Sequence, residues 1–128
     1  MRVFHGTIRS TAGMALVLAA LATPLRAEMD FVTDRALCGL TLMQRHEKGM
    51  SFDGQVFSEI EYYCELSAPV PRPDFSRDET HIRPGYCEEP GALFPTVFVL
   101  RSFASAPGEL HVYEGPGGSP QVYYLCGG

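Results

Sequence analysis

"QVFSEIEYYCEL" (55–66) is the stretch on which the fold turns. Val56, Ile60, Tyr62, Cys64 and Leu66 share one parity, while Glu59, Glu61, Tyr63 and Glu65 share the other. Successive side chains of a strand point to opposite faces, so this alternation predicts one half-buried strand with an acidic outer face. Just before it, "MSFDG" (50–54) ends in Asp53-Gly54, a strong tight-turn signal between strands. A hairpin is therefore expected, with 50–52 as its shorter arm.

The C-terminal segment uses the same grammar. "LHVYEG" (110–115) leads into the glycine- and proline-rich "GPGGSP" (115–120) and then "QVYYLC" (121–126). Aligned on their cysteines, Val122, Tyr124 and Cys126 match Ile60, Tyr62 and Cys64, which suggests a hairpin used twice. On that alignment Tyr62 and Tyr124 belong to the core, and Tyr63, Tyr113 and Tyr123 to the outer face.

Between the hairpins, prolines at 69, 71, 73 and 84 oppose helix or central strand. Residues 67–77 read as an exposed connection and "ETHIR" (79–83) as a short strand leading towards Cys87. "PTVFVLRSF" (95–103) carries β-branched and aromatic residues on both parities, as a strand covered on both faces would. Residues 33–49 admit two readings. As a helix over 34–47, Thr33 or Asp34 caps the start, Ala36, Leu37, Leu40 and Met43 form the stripe, and Gly49 stops it. As a strand, 39–45 runs into an "HEKG" turn. Caps, stripe and stop agree on the helix, although Gly39 and Thr41 weaken it.

The first 27 residues read as an export signal: Arg2 and Arg9, then the apolar "GMALVLAALA" (13–22), then "TPLRA" ending in Ala27. Cleavage is expected after Ala27, with Ala22 as the second choice. No cysteine follows either site and no twin arginine precedes them, so general secretion of an unanchored, soluble envelope or secreted protein is expected. The apolar run is too short to span a bilayer, and no other segment approaches the ~20 residues required.

Residues 28–128 make a single domain of 101 residues. Cleavage removes Arg2, Arg9 and Arg26 from ten basic residues and nothing from fifteen acids, leaving seven against fifteen, a formal charge of −8. Such acidity repels phosphate backbones and anionic lipid, which excludes nucleic acid and favours a basic protein as partner. Nothing in the chain fixes an oligomeric state.

All four cysteines, Cys38, Cys64, Cys87 and Cys126, lie in this domain, and an even count in a small exported chain reads as two disulfides. No two stand closer than 23 residues, so CxxC metal and redox pairs are absent. The apparent repeat favours one bridge per half, Cys38–Cys64 with Cys87–Cys126. The nested alternative, Cys64–Cys87 with Cys38–Cys126, applies if the strands flanking the proline-rich loop pair directly.

Enzymatic signals are sparse, and no cofactor is expected. There is no GxSxG elbow, "HEKGM" (46–50) lacks a second histidine, and "GPGGSP" has no lysine and leads into a strand. Glu59, Glu61 and Glu65 on one strand face would stand roughly 6.5–7 Å apart at i,i+2. That overlaps inverting glycosidase pairs, about 6.5–9.5 Å, but a solvated face supplies neither cleft nor raised pKa; a hydrolase ranks third. A small metal-binding protein using His46, His81 and His111 ranks second, since imidazole suits copper and zinc. The leading expectation is a non-enzymatic protein-binding module. Its face would be Glu59, Glu61, Tyr63, His111, Tyr113 and Tyr123, with tyrosines set among acids to meet a basic partner.

In size, export, bridges and acidity the chain is similar to small periplasmic β-barrel inhibitors of lysozyme, whose target is basic. The likeness is one of class, carried by no local motif. The architecture expected is mainly β, a small antiparallel meander or barrel of about six strands with an N-terminal helix.

Overall fold

A computed structural model describes residues 29–127; the expected export signal and its cleavage sites lie outside the described residues. Eight strands run in chain order: β1 (Phe31–Val32), β2 (Ser51–Phe52), β3 (Val56–Ser58), β4 (Tyr63–Leu66), β5 (Glu79–Glu89), β6 (Ala92–Ser102), β7 (Glu109–Glu114) and β8 (Gln121–Leu125). Each pairs antiparallel with the next, and β1 pairs with β8, so the sheet closes into a barrel. Closure leaves no sheet edge, and a ring of eight strands is just wide enough for side chains to fill.

The count exceeds six for two reasons. Residues 31–32 form the strand that closes the barrel, and 55–66 is two strands rather than one. Phe57 lies opposite Cys64 across the β3–β4 pair, and residues 59–62 turn between them, with Glu59 N donating to Tyr62 O at 2.9 Å. The inward parity changes at that turn: Phe57 is buried in β3, and Cys64 and Leu66 are buried in β4. Ile60, expected inside, is 69% exposed. The Asp53-Gly54 turn stands as expected, with Asp53 Oδ1 accepting from the amides of Gln55 and Val56. Gly54 holds a φ of 103°, in the left-handed region that glycine adopts without strain.

The core is aromatic. Phe52 stacks on Phe57 with ring centroids 4.0 Å apart, and Phe57 stacks on Phe98 at 5.2 Å. Leu66, Leu100, Leu110 and Val112 fill the rest. Residues 67–77 are not wholly exposed as expected. Val70 is buried in the core and its amide donates to Gly54 O, so the connection crosses and plugs one end of the barrel. Strand β6 is likewise not covered twice: Phe98 and Leu100 are buried, while Leu93 and Val97 face outward and are exposed.

The predicted helix over 34–47 is broken into two pieces. A 3-10 helix, Arg35–Gly39, begins at Asp34, whose carboxylate accepts from Ala36 N. Leu40 is extended, and α1 (Leu42–His46) restarts at Thr41, whose hydroxyl accepts from Gln44 N while the Gln44 side chain accepts from Thr41 N. Two caps seven residues apart each open their own helix, so one continuous helix does not form. Arg45, nearly buried, ties this excursion down by donating to the carbonyls of Cys38 and Leu40 and to the Asp30 carboxylate.

The disulfides are Cys64–Cys87 and Cys38–Cys126, which corrects the preferred sequential pairing to the nested alternative. The reason is register. Cys64 and Cys87 face each other directly across β4 and β5, with Cα atoms 4.0 Å apart. Two residues before Cys87, Gly85 opposite Leu66 lets β5 run close against β4, because a Cβ there would clash with the Glu65 carbonyl oxygen. Cys126 lies beyond the end of β8, where its amide donates to Asp30 O, and reaches the 3-10 helix instead. The two hairpins are therefore not equivalent: one cysteine sits inside a strand and the other follows one.

Candidate functional site

Strand alternation puts the 59–62, 90–91 and 115–120 connections at one end of the barrel, away from the Val70 plug. The long β1–β2 excursion reaches the same end: His46 O accepts from Ile60 N, and His46 Nε2 lies 3.0 Å from Ser58 Oγ. A cavity of about 240 Å³ opens there, lined by core rings (Phe57, Phe98, Tyr123) and by Met50, Tyr62 and Glu114.

Glu114 faces into the barrel because it lies opposite buried Phe98 on the β6–β7 ladder. Its Oε1 accepts a 2.6 Å hydrogen bond from the Tyr62 hydroxyl and lies 3.4 Å from Cys87 Sγ. Burial first, then the bond to Glu114 and the charges of Glu114, Glu89 and Glu59, raise the Tyr62 phenol above its ordinary range. Tyr123 is raised by burial first and then by Glu114, Tyr62 and Glu59. Its hydroxyl donates to Met50 Sδ at 2.8 Å. Three carboxylates thus act on the phenols of one cavity, and among the described residues no lysine or arginine lines it.

No family model, curated protein or solved structure matches this chain. The site therefore rests on its own geometry.

The six residues expected to form one face are dispersed. Tyr123 is a core residue, 3% exposed, which corrects its assignment to the surface; Leu110 opposite it is also buried. The cysteine alignment misplaced it, since Cys126 stands outside the strand and carries no strand parity. Tyr124, expected inside, is half-buried outside, with the Arg35 guanidinium 4.4 Å from its ring centre. Tyr63 lies on β4 whereas His111 and Tyr113 lie on β7, three strands along, with the β5–β6 hairpin between them. At about 4.8 Å per strand, that is roughly 14 Å of sheet. Glu59 and Glu61 lie in the 59–62 turn, and of the six only Glu59 acts on both cavity tyrosines.

The three histidines are not brought together. His46 is on α1, and His81 and His111 occupy opposite faces of the sheet, since they pair with the consecutive residues Leu100 and Arg101. Among the described residues, Cys64, Cys87 and Glu114 form the one group close enough to hold a metal, but both sulfurs are spent in the disulfide. Glu65 is separated from Glu59 and Glu61 by the break between strands, so the i,i+2 spacing that suggested a glycosidase pair does not link all three.

Glu65 instead accepts from two phenols. The hydroxyls of Tyr63 and Tyr86 both donate to its Oε2 at 2.8 Å. These bonds, Tyr63 first, hold the Glu65 carboxyl below its ordinary range. A depressed carboxylate pKa adds stability above the ordinary value, and that contribution disappears as pH falls through the folded value. With Tyr63→Phe and Tyr86→Phe combined, Glu65 is expected to titrate at higher pH, nearer an unperturbed glutamate, in a side-chain NMR titration. An unmoved titration would contradict the two-phenol clamp.

Missed by the strand reading were Glu114, Glu89, Phe57 and Phe98. Glu114 carried a visible signal: Leu110, Val112 and Glu114 share one parity, so an acid ends an otherwise apolar face.

Proposed function

We propose that this chain is an exported, non-enzymatic module that binds a basic envelope protein at the acidic mouth of its barrel, in the manner of an inhibitor. The observation that carries this reading is the mouth cavity itself, where Glu114 accepts from the Tyr62 hydroxyl at 2.6 Å and where, among the described residues, no lysine or arginine lines the wall; Glu59 and Glu89 add their charges to the same phenol. Exposed apolar residues at the same end, Ile60 in the 59–62 turn and Leu93 at the start of β6, add the surface a protein interface needs beside its charges. The net charge of −8 on 28–128 supplies the long-range attraction for a basic partner. Two disulfides suit an oxidising compartment, and no described helix is long and apolar enough to cross a membrane.

Crosslinking in the intact envelope, with mass spectrometric identification, names the partner. Glu59→Lys with Glu89→Lys should then weaken its capture by about tenfold or more, with binding also falling as salt rises. Both side chains are exposed, so the thermal midpoint should stay within the small range of surface substitutions. Undiminished capture of the same partner by the folded double variant would refute the acidic mouth as the contact.

A further inference from the structure

We propose that the mouth cavity is a socket for one long basic side chain, lysine or arginine, of that partner; the inference rests on the protein-binding reading above. At about 240 Å³ the cavity falls below the 300–1,000 Å³ usual for drug-sized ligands. It suits a single extended side chain. Its walls divide into the two chemistries such a chain carries. Phe57, Phe98 and Val112 are apolar and almost fully buried, matching an alkyl stem.

Glu114 supplies the anion for the charged head. Its Oε1 is held by the Tyr62 hydroxyl, and its Oε2 has no hydrogen-bond partner among the described residues. The Tyr62 bond fixes the carboxylate before a ligand arrives, so little ordering cost remains to binding. An anion would meet Glu114 in the cavity and Glu59 and Glu89 near it, which disfavours phosphate or carboxylate ligands. Desolvated basic anchors seated in pockets are frequent hot spots of protein interfaces, which gives this cavity its place in the larger contact.

The test uses n-butylguanidinium, n-butanol and n-butyrate, which present similar stems with a positive, neutral and negative head. Each is titrated into the isotope-labelled exported protein and followed by NMR at Tyr62, Glu114 and Tyr123. A saturable shift in the millimolar range is expected for the guanidinium, as suits so small a ligand. It should bind about tenfold more tightly than the alcohol, with butyrate weakest. Glu114→Gln should erase the preference for the cation. The ranking in the unmodified protein tests the socket even if that variant does not fold.

Absence of a saturable shift, equal binding of alcohol and guanidinium, or a preference that survives Glu114→Gln in a folded variant would overturn the socket while leaving capture at the rim untouched. The captured partner must also displace bound butylguanidinium. If the two bind together, the cavity takes free cations and the socket is refuted. If crosslinking and capture yield no partner, the protein-binding reading itself fails, and the socket with it.

Discussion

Replacing Cys38 and Cys126 together with alanine is expected to lower stability by about 4.6 kcal/mol, the chain-entropy value for a bridge closing so long a loop. The two residues are separated by 88 positions, against 23 for Cys64 and Cys87, whose loss is expected to cost about 3.4 kcal/mol on the same basis. The longer bridge also acts beside one of the thin pairings of the barrel, the seam that closes it. That seam consists of two residue pairs on β1 and β8, Phe31 with Leu125 and Val32 with Tyr124. By contrast β4 and β5 share four pairs, one of them the disulfide-bonded Cys64 and Cys87, and β5 and β6 share eleven. Domains of this size hold only about 5–15 kcal/mol in total. The double alanine variant should therefore unfold at a much lower urea concentration, read by circular dichroism because the chain has no tryptophan. Disulfide mapping of the unmodified protein should recover a peptide containing Cys38 joined to one containing Cys126. A midpoint close to that of the unmodified protein would show that the seam closes without the bridge.

What local pattern could reveal was largely legible: the β class, the Asp53-Gly54 turn, the C-terminal hairpin and the presence of two bridges. What depended on distant neighbours was not. Alternation over 55–66 fitted one strand because Glu59, Glu61, Tyr63 and Glu65 keep a single parity through the turn. The parity change is visible only when Phe57 is weighed as a core residue against Ile60. The resemblance between "IEYYC" and "VYYLC" misled in the same way. Strand parity passes to a cysteine only if it lies within the strand, and Cys126 does not. From that one error followed both the sequential bridges and the placement of Tyr123 outside. The expected acidic, tyrosine-bearing site kept its chemistry but moved. Glu59 remains, while the phenols that matter, Tyr62 and Tyr123, are the ones facing inward, and Glu114 joins them across 52 positions of chain. Which strands neighbour each other in a closed barrel is a global property that no window of sequence contains.

That break between β3 and β4 makes its own measurable demand. Phe57→Ala is expected to cost about 3–5 kcal/mol, as for a large aromatic removed from a packed core. Phe57 is 2% exposed, and its ring lies within 5.5 Å, centre to centre, of those of Phe52, Phe98 and Tyr123. Removing it takes the middle ring from that stack, and Phe52 and Phe98 cannot both close the gap while β2 and β6 stay in register. Ile60→Ala removes an apolar side chain three residues away, yet it should change stability by no more than about 0.5 kcal/mol, because Ile60 is 69% exposed. A continuous strand from 55 to 66 demands the reverse, with Ile60 inside beside Tyr62 and Cys64 and Phe57 in solvent. Urea unfolding of the two variants side by side decides between these registers, whose expected costs differ in sign of ranking and not merely in size. The same pair bears on function. Phe57 forms the apolar wall of the mouth cavity, so its alanine variant, where it still folds, should lose butylguanidinium binding; Ile60→Ala leaves the cavity lining intact and should retain it.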